Sequence, residues 1–120
     1  TPDRAIDQVT DALRAEGFGV LTRIDAHQVF KQKLGIEFRP YTILGACNPT
    51  LAHSALNNSA AAGILLPCNV TVEAAEDGST VRIANPEAML LAGGMASDPA
   101  MVELMREARA RLERVAAALR

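Results

Sequence analysis

Apolar residues recur at helical spacing at the start of the chain. Ile6, Val9 and Leu13, supported by Ala5 and Ala12, predict a first helix. Thr1-Pro2 supplies a hydroxyl cap followed by a proline that gives up no needed N–H, and Gly17 supplies the stop. The period then falls to two. Phe18, Val20, Thr22 and Ile24 alternate with Gly19, Leu21 and Arg23, which predicts a strand. Helical spacing returns in Ala26, Val29, Phe30 and Leu34, a stripe the pattern marks for burial. Asp25 and Gln28 form a capping box ahead of it, and Gly35 ends it. Tyr41 to Ala46, after Pro40, predicts a second strand. Asn48-Pro49 opens a third helix carrying Leu51, Ala52, Ala55 and Leu56, which frays at Asn57-Asn58-Ser59.

The second half begins with an apolar run from Ile64 to about Ala75, which predicts a long third strand. Pro67 cannot donate to a central ladder, so a bulge or edge is expected there. Asp77-Gly78 signals a hairpin turn, and Thr80 to Ala84 returns with Val81 and Ile83 on one face. Asn85-Pro86 starts a short helix over Met89 and Leu90, broken by Gly93-Gly94. Asp98-Pro99 starts the longest helix, with a stripe of Met101, Leu104, Met105, Ala108, Leu112, Val115 and Leu119. The order α-β-α-β-α-β-β-α-α predicts a single α+β domain over residues 1–120. Its helices pack on one face of a largely antiparallel sheet.

Composition narrows the function classes. The 120 residues fit one domain, and 49% are hydrophobic, enough for a real core. Acids and bases are interspersed at a net charge of −2, which excludes the clustered excess of Lys and Arg that nucleic acid requires. No apolar run reaches the length of a membrane span, and no signal-peptide pattern is found. Two cysteines make no disulfide framework, so a reducing cytoplasm is expected. Two matches to the glycosylation pattern, at Asn57 and Asn69, read as chance. Alanine-rich helices with few aromatics bury modest area, so a helix face that gains from a second subunit is expected.

The candidate chemistry lies in Ala46-Cys47-Asn48-Pro49 and Pro67-Cys68-Asn69-Val70. Cys47 precedes the Asn48 cap, and unpaired N–H groups at a helix N-terminus lower a thiol pKa. Cys68 approaches it if the second and third strands are neighbours. Asn48 and Asn69 add amide groups around the sulfurs, and Tyr41 shares a strand face with Cys47 by alternation. Cys47, Cys68 and His53 together offer soft or borderline ligands to zinc or copper, although no close metal-ligand spacing is present. His53 also offers a base to Cys47, at a helix spacing that does not ensure contact. Inert packing accounts for the same residues: free cysteine behaves as a small hydrophobe, and capping explains Asn48. His27 reads as a surface histidine, and Met89, Met95, Met101 and Met105 as flexible core packing. No phosphate loop, dinucleotide fingerprint or nucleophile elbow occurs, so whether the chain is an enzyme is left open. A thiol-dependent redox, sulfur-handling or small-ligand-binding protein and a non-catalytic assembly module both remain.

Four fragments together carry a family resemblance. They are Glu16-Gly17-Phe18-Gly19-Val20-Leu21-Thr22, Ile43-Leu44-Gly45-Ala46-Cys47-Asn48-Pro49, Leu65-Leu66-Pro67-Cys68-Asn69-Val70 and Asn85-Pro86. In this order they resemble the bacterial and archaeal family catalogued as domain of unknown function 302. The resemblance implies an α+β domain with a curved antiparallel sheet, a homodimer, and an occasional association with sulfur or redox metabolism. It implies no established activity. One departure is expected: the resemblance calls for a short strand before the first helix, and its loss leaves a sheet edge free to pair with another chain.

Overall fold

The computed structural model describes residues 2–119. The expected Thr1 cap lies outside them. Helix α1 (Pro2–Ala15) leads into strand β1 (Gly19–Asp25), helix α2 (Ala26–Leu34) and strand β2 (Tyr41–Cys47). Helix α3 (Pro49–Asn58) and a 3-10 turn (Ala60–Leu65) precede strands β3 (Cys68–Ala75) and β4 (Gly78–Ile83). Helices α4 (Pro86–Ala92) and α5 (Pro99–Ala118) close the chain. The four strands form one sheet in the order β1-β2-β3-β4, every pair antiparallel. This is the α+β architecture the patterning predicts. Among the described residues this order puts β1 and β4 at the two edges.

Alternation along the strands assigns the faces. Leu44, Ala46, Cys68, Val70 and Val72 are buried on one face, where Ile6, Val9 and Leu13 of α1 and Leu112 and Val115 of α5 meet them. Full burial of each large aliphatic side chain contributes about 1.5–3 kcal/mol. A second, smaller cluster holds Ala55, Ala62, Leu90, Met101 and Met105. Helix α5 serves both: its first half packs with α3 and α4, its second with α1 and the sheet core. The other sheet face carries polar pairs. Glu73 there accepts hydrogen bonds from Arg39 and from Arg82 Nη1 (2.7 Å).

Three local expectations change. The Ile64–Ala75 strand begins only at Cys68, because Ala60–Leu65 coils into the 3-10 turn and Pro67 has no N–H to give the ladder. Ile64 is 86% exposed rather than in a strand. The predicted capping box at Asp25 does not form, because the Asp25 carboxylate instead accepts from Thr42 Oγ1 at 2.8 Å and Arg23 Nε at 3.1 Å. Finally, the α2 stripe is not buried. No residue of α2 is buried, and Val29 and Leu34 stand 41% and 64% exposed. Among the described residues β2 is the strand that packs most against it, and that contact leaves the apolar face of the helix largely open.

Candidate functional site

The β2–β3 register brings the cysteine stretches together. Ala46 pairs with Cys68, and Cys47 follows Ala46 as the last residue of β2. Segments separated by twenty residues of chain thus meet at one end of the sheet. Asn48 then turns the chain into α3. Its Oδ1 accepts from the Leu51 N–H at 3.2 Å, the expected cap, and its Nδ2 donates to the Glu16 carbonyl at 3.4 Å. Arg111 Nη1 donates to the same carbonyl at 3.0 Å. The next residue, Gly17, has φ 85°, and a Cβ on it would lie 2.9 Å from Asn48 Nδ2. The cap is therefore also a clasp joining the α1–β1 turn, α3 and α5.

A partly enclosed crevice opens beside this clasp, on the seam between the two apolar clusters. Cys47 and Cys68 line it, with Phe18 from one side and Leu65, Met89 and Met105 from the other. No charged residue lines it. Its volume is about 20 Å3, room for roughly one water-sized body. Cys68 is buried and Cys47 half-buried, and both thiols are free.

The helix N-terminus does not lower the Cys47 pKa as the sequence predicts. Burial pushes the thiol up, because the apolar surroundings disfavour a thiolate. Burial raises Cys68 as well, and the neighbouring Cys47 raises it further. At neutral pH both are held as neutral thiols, which slows nucleophilic attack and means that a soft metal must displace a proton to bind.

Of the six candidates, Cys47, Asn48 and Cys68 converge. Tyr41 does not, because it lies six residues back along β2, roughly 20 Å away at strand rise. There its ring lies against that of Phe38, tilted by 59° with 6.4 Å between centroids. His53 is exposed on α3, off the Leu51–Ala52–Ala55 face, so neither the Cys-His pairing nor the Cys-Cys-His metal set is assembled. Asn69 is exposed on the uncovered face, opposite Gly45. His27 is no free surface residue: it is half-buried, and its Nδ1 accepts from the Tyr41 N–H at 3.0 Å. Met89 and Met105 are crevice residues that periodicity alone reads as core packing; proximity to the cysteines is visible only once α4 and α5 are folded over the sheet.

Fold and crevice define a single-domain α+β protein with an open four-stranded antiparallel sheet. The chain belongs to the family described as Domain of unknown function DUF302, whose profile matches residues 1–119. It is similar to a crystal structure described as the uncharacterized conserved protein DUF302 from Bacillus stearothermophilus. That likeness covers 100% of this chain and 91% of the other at 29% identity, with a TM-score of 0.87. No curated protein matches. Among the described residues no helix is long and apolar enough to cross a membrane.

Proposed function

We propose that this domain binds a small soft ligand at the Cys47/Cys68 crevice. One observation carries the reading: two thiols from separate segments line a single uncharged crevice. A redox or sulfur-handling role by fast thiolate attack is less well supported, because burial raises both thiols. Reduced thiols fit a cytoplasmic setting. The test is titration of the folded protein with an organomercurial that marks soft, accessible thiols. Half-buried Cys47 reacts first, and buried Cys68 follows in the still-folded protein. Thiols that react only after unfolding would reduce the cysteines to packing.

A second reading, a homodimeric assembly module, has its own support. Leu21 and Ile24 on edge strand β1 and Val29, Leu34 and Ile36 on and after α2 are all exposed large apolar residues. An unpaired strand edge beside an uncovered helix stripe fits a second copy related by a two-fold axis. Sedimentation velocity separates the cases: a dimer supports the reading, and a strict monomer at high concentration counts against it.

A further inference from the structure

The ligand proposed above is narrowed by four sulfur atoms. Cys47, Cys68, Met89 and Met105 line the same crevice, and the sequence pattern treats the methionines only as packing. The crevice volume, about 20 Å3, admits one water-sized body. Pockets that enclose small organic ligands run to hundreds of Å3. An atom-sized occupant is therefore favoured over an organic molecule.

Donor chemistry then selects the atom. Thiolate and thioether are soft ligands and favour Cu(I), whereas a divalent zinc site takes four N or S donors, or carboxylate oxygens. No histidine or carboxylate lines the crevice. Among the described residues no group of three or more His, Cys, Asp and Glu side chains is placed to hold a metal. Charge points the same way. Burying an uncompensated charge among apolar walls costs several kcal/mol. One Cu(I) with one thiolate and otherwise neutral sulfur donors carries no net charge. A zinc ion would need both thiols ionised to reach neutrality and two further ligands that are absent.

We propose that the crevice is a Cu(I) site in which Cys47 and Cys68 anchor the ion and Met89 and Met105 complete a sulfur-only shell. This rests on the soft-ligand reading. On binding, Cu(I) forms a bond to one cysteine sulfur and that thiol's proton leaves to solvent; no electron is transferred, and the crevice gains no net charge. Half-buried Cys47 gives the entry side, and Cys68 lies behind it.

The test is competition for Cu(I) held by bicinchoninate under a reductant, followed by X-ray absorption on the loaded protein. The intact chain is expected to take one Cu(I) per molecule, with sulfur as the only near scatterer. Removing an outer-shell partner of a metal site typically costs 10–100-fold in affinity. Loss of a ligand therefore predicts at least about tenfold weakening in Met89→Leu and Met105→Leu, which preserve volume, and loss of binding in Cys68→Ser. Circular dichroism and unfolding midpoints of the methionine variants establish that they fold. Failure of the intact chain to compete, nitrogen or oxygen scatterers, or a folded double methionine variant with undiminished affinity would overturn the Cu(I) site. If Cu(I) does not bind while the organomercurial still marks both thiols in the folded state, only the metal assignment falls. If neither reagent reaches them, the soft-ligand reading falls too.

Discussion

Asn48 ties three parts of the chain through one amide, capping α3 with its oxygen and holding the Glu16 carbonyl with its nitrogen. Losing a cap costs about 1 kcal/mol, and the lost clasp adds to it because Arg111 is then the remaining side-chain donor to that carbonyl. Asn48→Ala should lower stability by roughly 1–2 kcal/mol in urea unfolding. Gly45 is a second such residue. A Cβ there would run into Thr22 Oγ1 and lie 2.8 Å from Pro67 Cγ, so the Thr22 side chain and the proline ring must both give way. Gly45→Ala should cost about 1–3 kcal/mol by overpacking. A neutral result would mean, for Asn48, that the clasp is not a source of stability and, for Gly45, that Thr22 and Pro67 yield without cost. Glu73 sets a pH dependence. The Arg82 guanidinium, and then that of Arg39, hold its carboxyl below the ordinary glutamate range. The unfolded chain therefore takes up the proton first as pH falls. The contribution is complete above the ordinary range near pH 4.3 and is lost as pH drops through the lowered value. The stability gap between the parent and Glu73→Gln should shrink from pH 7 towards about pH 3 in urea unfolding; a gap that stays constant would mean the two arginines do not favour the charged form.

Among the elements, α2 is the one whose apolar stripe is not satisfied within the chain. The double variant Val29→Ser, Leu34→Ser should convert a dimer to a monomer in sedimentation while shifting the unfolding of the monomer by no more than about 0.5 kcal/mol. A large loss of monomer stability would place those side chains in a core they do not occupy here. The same helix shows what the sequence could and could not tell. Period 3.6 marked a stripe correctly but not what covers it, because periodicity reports which side is apolar and not whether a sheet lies opposite. The hairpin at Asp77-Gly78 and the caps at Asn48, Asn85 and Asp98 were legible because each is decided within three or four residues. The start of β3 was not, since Ile64 to Cys68 is apolar throughout and a 3-10 turn, a proline and a strand look alike in hydropathy. Thiol convergence was legible only conditionally: it required β2 and β3 to be neighbours, which strand pairing decided. The expected low Cys47 pKa ignored desolvation, a property of the folded surroundings and not of the helix end alone.

At the scale of the molecule, one long helix closes two apolar clusters, and the crevice lies where they meet. Met105 belongs to the smaller cluster and Cys68 to the larger, so α5 and the sheet together set the width of the opening. Binding at the seam should then stiffen both clusters at once, and loading with a soft ligand should raise the unfolding midpoint with the logarithm of ligand excess. Binding of one soft ligand by both cysteines requires the two sulfurs to face a common space. The most direct measurement is reaction of the folded chain with a bifunctional bimane, which fluoresces strongly only when it bridges two nearby thiols. One bridge per chain, mapped by mass spectrometry to Cys47 and Cys68, is the predicted result. Single-site labelling without a bridge, in protein that is still folded, would contradict it.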